Sequence, residues 1–338
     1  MFYKKDKMED LIMKRSILVL IALFVAVAIV IPALIVLPFS EHKNPETTKV
    51  LAKSKKSQIQ HDPNIAIPVM RHATKKVTHV GLRDYLIGVV ASEMPAKFEL
   101  EALKAQAIAA RTYIARFMMT AGADDAVTDT PDDQVYESRA ELKKAWGSTY
   151  NAKMKKITEA VDQTAGLVLT YKGDLISPSF FSTSNGYTEN AEAYWQKPVP
   201  YLKSVKSTWD KSSPKFLRTV EKPVTEIEEK LGVHLPRQNG TVGTILSRTP
   251  GKRVAEFKIG GIVFTGREIR EELNLYSADF KMERIGSKVK ITTKGYGHGI
   301  GMSQYGANGM AKEGKSCEDI LKYYYRGVTL SKLSDFIK

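Results

Sequence analysis

The sequence of 338 residues contains a single cysteine, Cys317. One cysteine cannot form an internal disulfide, and it excludes zinc sites built from four cysteines. Acidic residues are also few relative to basic ones: the chain has 37 Asp and Glu and 51 Lys and Arg, so the formal net charge is +14. This excess indicates a polyanionic neighbourhood, such as nucleic acid, a membrane surface or a cell-wall polymer. The hydrophobic content of 43% excludes a largely disordered chain.

Charge is absent from residues 17–39, which form a long apolar run. The run is long enough to cross a bilayer, and five basic residues precede it. The positive-inside rule therefore predicts that residues 1–16 are cytoplasmic and that the rest of the chain lies outside. A cleaved signal peptide is the alternative, because Ala26 and Ala28 have the small-x-small spacing. Cleavage there would leave exposed apolar residues, so we expect an uncleaved transmembrane anchor.

A polar linker over residues 40–66 and an extracytoplasmic domain over residues 67–338 complete the predicted organisation. Residues 41–80 contain eight basic and three acidic residues, and the remaining domain is also basic. Because this basic domain is predicted to lie outside the cytoplasm, we expect no nucleic-acid partner. The outer membrane face and anionic wall polymers are the expected counterparts.

Helix and strand patterns alternate irregularly along the predicted domain. Apolar residues at spacings of three and four predict a helix from Leu100 to about Ala121. A hairpin turn is predicted at Gly260 and Gly261. Strand patterns occur in residues 77–80, 167–171, 175–181, 254–264 and 289–293. The absence of a regular strand–helix repeat favours an α+β fold, with mixed helices and mainly antiparallel strands forming a groove, after one N-terminal transmembrane helix.

Residues 309–316 match the phosphate-loop pattern G-x-x-x-x-G-K-[ST]. No buried strand pattern precedes them, and residues 310–313 favour a helix. ATP is also scarce outside the membrane. Gly314 is therefore interpreted as a cap between two helices rather than as part of a nucleotide site.

Glu93 is a carboxylate between apolar residues and the turn at Pro95. Partial burial would raise its pKa, as a general acid near neutral pH requires. Alternatively, Ser92 or Glu93 caps the following helix, and the local sequence slightly favours this. Lys104 and Arg111 share one face of that helix. They are either solvated flanks or groove residues whose charge lowers the Glu93 pKa, and the sequence leaves open whether charge or burial prevails.

Two further segments are unusual in composition. Residues 180–190 are rich in Ser, Thr and Asn and are followed by Tyr194, Trp195 and Tyr201, a combination that suits a sugar or an ordinary polar loop. In residues 295–306, four glycines alternate with side chains. As a strand, this segment would have a bare face that a ligand approaches closely; the alternative is tight packing, with His298 a core histidine.

Taken together, several motifs resemble the stage II sporulation protein D family, which also includes the amidase-enhancer proteins. The motifs are residues 89–96, 101–113, 182–190, 200–202, 297–307 and 320–325. The resemblance runs from about residue 67 to the end. It implies a membrane-anchored lytic transglycosylase that acts on peptidoglycan during sporulation and engulfment. Such an enzyme cleaves the MurNAc-β-1,4-GlcNAc bond of glycan stripped of stem peptides and leaves 1,6-anhydroMurNAc.

The resemblance also implies roles for individual residues and partners. Glu93 corresponds to the catalytic glutamate. The implied substrate-binding residues are Lys104, Arg111, Ser182, Ser184, Tyr201, His298, Ser303 and Gln304. The implied partners are the amidase stage II sporulation protein P and the membrane protein stage II sporulation protein M. The catalytic domain would lie between the mother-cell and forespore membranes.

A transglycosylase can use one carboxylate, whereas the usual hydrolase needs a second across the scissile bond. Only Glu189 and Asp210 remain candidates for a second catalytic carboxylate.

Some relatives bind zinc through Cys and His near the loop before Gln134, but residues 129–133 contain neither, so we expect no metal and no cofactor. The runner-up function is a non-catalytic peptidoglycan-binding module that activates a cell-wall amidase.

Overall fold

The computed structural model describes residues 61–122 and 124–337. The predicted cytoplasmic segment, the membrane helix over residues 17–39 and nearly all of the linker lie outside the described residues. Within the described ranges, no helix has both the length and the hydropathy needed to cross a bilayer.

Helices and strands are interspersed along the described chain. The helices are α1 (Leu82–Glu93), α2 (Leu100–Thr120), α3 (Arg139–Trp146), α4 (Tyr150–Asp162), α5 (Glu192–Trp195), α6 (Val224–Leu231), α7 (Gly266–Glu272), α8 (Gln304–Lys312) and α9 (Cys317–Tyr324). The first strands are β1 (Ala66–Arg71), β2 (Lys76–Gly81), β3 (Val127–Thr128), β4 (Leu167–Tyr171), β5 (Asp174–Leu175), β6 (Phe180–Phe181) and β7 (Leu217–Pro223). The later strands are β8 (Gly240–Thr241), β9 (Thr244–Arg248), β10 (Val254–Ile259), β11 (Ile262–Thr265), β12 (Phe280–Ile285), β13 (Lys288–Lys294), β14 (Met302–Ser303) and β15 (Thr329–Lys332).

The strands form several small sheets. Their orders are β2-β1-β3, β11-β10-β9, β7-β13-β12-β8, β14-β6 and β15-β4-β5. The pairs β1–β3 and β14–β6 are parallel, and the other pairs between these strands are antiparallel. The α+β prediction with mainly antiparallel pairing is therefore confirmed, as is the hairpin turn at Gly260 and Gly261 between β10 and β11.

Two hydrophobic cores stabilise the described chain. The larger one surrounds α2, whose small alanines, Ala105, Ala107 and Ala110 among them, are fully buried and let α1, α4, α8 and α9 pack closely around it. The smaller core lies between β10, β12, β13, α6 and α7. Within it, Phe257 and Phe280 meet edge to face with their ring centroids 5.1 Å apart.

The glycine-rich segment is not a strand, and β14 begins only at Met302. Its glycines at 295, 297, 299 and 301 all have positive φ. A Cβ on Gly301 would lie 1.9 Å from the Ser179 carbonyl oxygen, and one on Gly299 would lie 2.2 Å from Cζ of Arg253. Close packing against the Ser179 backbone therefore requires glycine at 301, and the φ of +92° favours glycine at 299. The strand predicted over residues 175–181 is likewise wrong, because Pro178 and its neighbours separate β5 from β6.

The phosphate-loop pattern spans a helix end and a helix start. Gly309 lies inside α8, where a Cβ would lie 2.2 Å from the Cβ of Trp209. Gly314 has φ +82° between α8 and α9, and Ser316 caps α9 in a capping box with Asp319. The interpretation of Gly314 as a cap is confirmed.

Candidate active site

A cleft of about 700 Å³ lies beside the larger core, whose Tyr113, Phe180 and Tyr194 help to line it. The C-terminus of α1, residues 131–135, residues 177–182 and the N-terminus of α8 line one part of it. The other part is lined by α5, Lys215, α7 and residues 296–298. The glycine-rich segment connects the parts: Gly297 N–H donates to the Tyr276 carbonyl at 2.9 Å, and Tyr296 and Thr183 exchange backbone hydrogen bonds.

Glu93, the last residue of α1, presents its carboxylate to this cleft. Oε1 accepts a hydrogen bond from the Val135 backbone at 3.0 Å, and Oε2 accepts one from Nε2 of Gln304 at 3.4 Å. Burial raises the pKa of the Glu93 carboxyl, and these two hydrogen bonds oppose the rise only in part. The sequence left open whether charge or burial decides the Glu93 pKa. In the structure, burial sets the direction of the shift. The carboxyl is partly shielded and positioned by two elements distant in sequence.

The helix-cap interpretation of this segment is wrong. Glu99 occupies the N-cap position of α2 without a side-chain cap, and its N–H donates to Oδ1 of Asn308 at 2.8 Å. The Ser92 hydroxyl donates to the Gly88 carbonyl within α1 at 2.8 Å. Ser92 and Glu93 thus close one helix rather than open the next.

Aromatic rings form the wall of the cleft near His298. The His298 ring lies 5.8 Å from the Phe181 ring, 6.0 Å from the Tyr194 ring and 6.2 Å from the Trp195 ring, centroid to centroid. Trp195 remains 42% exposed. Exposed aromatic faces beside hydroxyls and amides match the C–H faces and hydroxyl edges of sugars.

His298 is held as a neutral ring. Its Nδ1 accepts a hydrogen bond from the Ile300 N–H at 3.0 Å, which requires that nitrogen to be unprotonated. Burial, assisted by the charges of Arg270 and Arg253, lowers the pKa of His298 to about 4. The residue therefore lines the cleft without carrying charge near neutral pH.

We expect NMR titration of the full chain to place the His298 midpoint near pH 4, with a His298→Gln variant identifying its signal. The folded state binds this proton less tightly than the unfolded state, whose histidine pKa is about 6.5. The associated stability is thus present above about pH 6.5 and is lost as the pH falls towards about 4. A midpoint near 6.5 would contradict the hydrogen-bonded, buried ring.

Sequence comparison agrees with these features. The chain is 49% identical to stage II sporulation protein D of Bacillus subtilis (strain 168) over 336 residues, covering 96% of this chain and 98% of that protein. The chain belongs to the stage II sporulation protein D family. Identity to the Bacillus amyloliquefaciens protein of the same name is also 49%, with 96% and 98% coverage. The family model described as a stage II sporulation protein matches residues 70–171.

A more distant relative adds a second name. The chain is 33% identical over 299 residues to the amidase enhancer of Bacillus subtilis (strain 168). That match covers 73% of this chain and 40% of the enhancer. A role in sporulation follows from membership of the stage II sporulation protein D family.

Three of the binding residues expected from the stage II sporulation protein D family line the cleft with Glu93: Ser182, His298 and Gln304. Gln304 is the first residue of α8, and its neighbour Ser303 caps that helix by accepting from Gly306 N–H. This cap directs Gln304 towards Glu93.

The structure does not place Arg111, an expected groove residue, in the cleft. Its side chain is fully buried, and Nε and Nη2 donate to the two carboxylate oxygens of Asp62 at 2.7 and 3.0 Å. Further bonds reach Thr164 and the carbonyls of Leu167 and Val161. Arg111 ties α2 to the end of α4 and to the chain before β1. Its heptad spacing from Lys104 did not indicate how deeply this turn of α2 is enclosed.

Lys104 is also absent from the cleft. Its Nζ pairs with Glu101 at 2.7 Å, one turn earlier on α2. The other carboxylate oxygen of Glu101 accepts from Cys317 N–H at 2.7 Å, at the start of α9. Lys104 thus pairs within α2, while Glu101 links α2 to α9, and the structure does not bring Lys104 to the cleft.

Ser184 and Ser303 belong to a buried network centred on Asp210 rather than to the cleft. Asp210 accepts from the Ser184 N–H at 2.8 Å, from the Ser207 hydroxyl at 2.6 Å and from the Ser303 hydroxyl. All four residues are buried. Tyr201 does not line the cleft either: its hydroxyl accepts from Ser177 N–H at 3.0 Å and so braces a residue that does.

Neither candidate for a second carboxylate lies in the cleft. Asp210 is enclosed in the serine network, and Glu189 is 2% exposed, with Arg253, Thr249 and Gly251 around it. The cleft does contain Asp132 and Asp133, which sequence reasoning did not single out for catalysis. Asp133 accepts from the Tyr113 hydroxyl and from the Thr128 backbone and hydroxyl, so its oxygens stabilise the loop.

Sequence reasoning also missed Lys215 and Arg270, which line the cleft far from Glu93 in sequence. Neither lies in a distinctive motif, and charged residues are common around both, so no local signal marks them. Among the described residues, no group of three or more His, Cys, Asp or Glu is arranged to hold a metal ion.

Proposed function

We propose that this protein is a lytic transglycosylase that cleaves the MurNAc-β-1,4-GlcNAc bond of glycan strands lacking stem peptides. The observation that carries the proposal is the Glu93 carboxyl. It is held by Val135 and Gln304 at the side of a sugar-sized cleft, and burial raises its pKa towards the range of a general acid. Membership of the stage II sporulation protein D family supports the choice of substrate.

The proposed reaction needs no water. Protonated Glu93 donates its proton to the glycosidic oxygen as the bond to C1 of MurNAc breaks. The resulting Glu93 carboxylate then takes the proton of the muramyl 6-hydroxyl as that oxygen bonds to C1, which closes the 1,6-anhydro ring. One carboxyl thus acts first as acid and then as base, and the protein ends in its starting protonation state.

The surroundings of Glu93 favour this route over two-carboxylate hydrolysis. A hydrolase of that kind positions a second carboxylate to act as nucleophile or to activate water. Asp133 is engaged by three hydrogen bonds from its own loop and from Tyr113, and Asp132 is exposed and accepts from Thr130. The developing charge at C1 would instead be stabilised by the dipoles of the cleft and by the substrate's own groups.

Product analysis tests the proposal. The full chain is incubated with glycan strands from which the stem peptides have been removed, and the products are examined by mass spectrometry. We expect 1,6-anhydroMurNAc ends. Ordinary reducing ends would identify a hydrolase and overturn the proposed chemistry.

Activation of an amidase is the second candidate function, because a relative is named amidase enhancer. In that case the cleft binds glycan without cleaving it. Amidase stimulation that persists in Glu93→Gln, with no cleavage by the parent chain, would favour this function. The proposed partners in either case are the amidase stage II sporulation protein P and stage II sporulation protein M. The proposed location is the cell membrane, with the catalytic domain in the space between the mother cell and forespore.

The pH dependence follows from the raised pKa of Glu93. Because the acid form donates the proton, we expect kcat/KM to fall as the pH rises through that pKa. The hydrogen bond from Gln304 lowers the pKa, so Gln304→Leu, which removes the bond while roughly keeping the volume, should move this decline to higher pH. The measurement is kcat/KM for the denuded glycan against pH in both proteins. An unchanged or acid-shifted decline would count against Glu93 as the proton donor.

A further inference from the structure

The acidic and basic residues that line the cleft come from different elements. The carboxylates Glu93, Asp132 and Asp133 lie on α1 and on the loop that follows β3, whereas the cations Lys215 and Arg270 come from other elements. His298 adds no charge near neutral pH. The two cations therefore lie on elements other than those that carry the proposed proton donor, and Arg270 contacts Tyr194 of the aromatic wall.

Arg270 is a half-buried cation without a charged partner among the residues that the structure describes. It lies in the last turn of α7, and its Nη1 donates to the Tyr194 hydroxyl at 3.3 Å. Its Nε is buried and has no hydrogen-bond partner within the described chain. The nearby carboxylate of Glu271 is engaged instead by Arg267 at 2.8 Å and by the Tyr194 hydroxyl.

An unpaired, half-buried guanidinium is costly to retain, because burial removes water without supplying an anion. The site nevertheless keeps this cation beside a second one, the buried Arg253, and both lower the pKa of His298. Arg253 has a partner in Glu189 at 3.8 Å, whereas Arg270 has none in the described part of the chain. A ligand that brings a negative charge would satisfy Arg270.

Lys215 offers a second positive charge to the same cleft. Its Nζ lies 4.7 Å from the centre of the Tyr296 ring, and it too forms no ion pair with a described residue. Its backbone N–H donates to the Ser213 hydroxyl at 3.1 Å, just after the turn that contains Asp210. Ser213, whose hydroxyl is also hydrogen-bonded to the Thr183 hydroxyl at 2.9 Å, therefore holds the stretch of chain that carries Lys215.

We propose that Arg270 and Lys215 form an anion subsite that binds the lactyl carboxylate of muramic acid in the substrate strand. This inference rests on the proposed function and identifies the residues that would select its substrate. In an intact strand the lactyl carboxyl is an amide of the stem peptide and carries no charge. Removing the peptide leaves a carboxylate, which the planar guanidinium fork can bind with two parallel hydrogen bonds.

The neighbouring side chains fit the rest of such a sugar. The Tyr194 ring, held by the Arg267 guanidinium 4.3 Å from its centroid, lies beside Trp195 and His298. These rings offer faces for the C–H groups of the pyranose, while Arg270 reaches the carboxylate. Recognition would thus depend on removal of the peptide and not only on the glycan backbone.

Binding measurements with defined tetrasaccharides test the subsite. The full chain with Glu93→Gln is titrated with alternating GlcNAc–MurNAc tetrasaccharide in three forms: with free lactyl carboxylates, with lactyl methylamides, and with stem peptides that carry their own carboxylates. We expect the free acid to bind at least about tenfold more tightly than the methylamide, as for a hydrogen bond to a charged group. The preference should weaken with added salt.

Further substitutions in the Glu93→Gln chain show which residues cause the preference for the free acid over the methylamide. Arg270→Gln should remove most of it while changing methylamide binding by less than about twofold, and Arg270→Lys should restore part. Lys215→Gln should have a smaller effect, because Lys215 is exposed. The matched control is Arg237→Gln: Arg237 is exposed, lies outside this cleft and has no ion pair with a described residue.

Several outcomes would overturn the subsite. They are equal affinity for the free acid and the methylamide, an equal loss for both in Arg270→Gln, and tightest binding of the peptide-bearing strand. An equal loss would mean that Arg270 only supports Tyr194, and preference for the peptide form would assign the anion to the stem. The subsite and the proposed function can fail separately, since a preference lost in Arg270→Gln stands even if the parent chain forms no anhydro product.

Discussion

Replacing Glu93 by glutamine is expected to reduce the rate of glycan cleavage by about 10²–10⁴-fold, the usual contribution of a positioned general acid. Glutamine keeps the size of the side chain and an oxygen that can accept from Val135 N–H, but it supplies no acidic proton. The measurement is the rate at which 1,6-anhydroMurNAc ends appear from denuded glycan. Thermal unfolding should show that the variant remains folded.

Glu137→Gln is the matched control for this loss. Glu137 lies close to the end of α1, with an oxygen 3.4 Å from the Ser92 hydroxyl, but it does not line the cleft. The Glu137→Gln substitution therefore removes one negative charge near Glu93 without changing the proposed proton donor. Comparable losses in Glu137→Gln and Glu93→Gln would mean that local charge or stability, not proton transfer, explains the effect.

Replacing Arg111 by methionine is expected to destabilise the fold by about 3–5 kcal/mol, the usual cost of leaving one partner of a buried ion pair alone. The carboxylate of Asp62, which is 4% exposed in the parent chain, would lose its two guanidinium bonds. Denaturant unfolding followed by circular dichroism measures the loss. Any loss of activity in Arg111 variants should accordingly track the fraction unfolded rather than the chemistry of the cleft.

The chain provides a matched pair for comparison. Arg83 and Asp162 form the same two-bond arrangement at 2.7 and 2.8 Å, but both side chains are nearly half exposed. Arg83→Met should therefore cost only about 1 kcal/mol or less. The double variant Arg111→Met, Asp62→Leu should recover much of the loss, because it removes the isolated charge. Equal costs for Arg111→Met and Arg83→Met would refute the role assigned to Arg111.

Local elements were predicted best where one pattern dominated. The periodicity of α2 and the glycine turn between β10 and β11 were both correct, because backbone propensity and side-chain spacing decide them locally. The glycine-rich segment was not predicted correctly, because its conformation depends on distant contacts. Ser179 lies over a hundred residues from this segment in sequence, and Arg253 lies nearly fifty residues from it. Periodicity carries no information about such neighbours.

Within the site, Glu93, Gln304 and His298 could be named from sequence motifs, but the partners of each residue could not. Whether Arg111 faces a substrate or a buried aspartate depends on what packs against α2, and that includes residues beyond both ends of the helix. Arg270 could not be predicted for the same reason. It lies in no motif, and only its position beside Tyr194 and His298 marks it as a cleft residue.

By itself, the sequence determined the family and the mixed α+β class, since these depend on motif order and periodicity, and the family resemblance singled out Glu93 as a candidate. Only the tertiary structure decided that burial outweighs the hydrogen bonds from Val135 and Gln304 at Glu93, and that Arg111 joins α2 to the end of α4. It also decided that Lys215 and Arg270, which form no ion pair with a described residue, line the cleft. The physical reason is that pKa values, ion pairs and desolvation depend on distances through space. Chain spacing constrains those distances only within a helix turn or a strand pair.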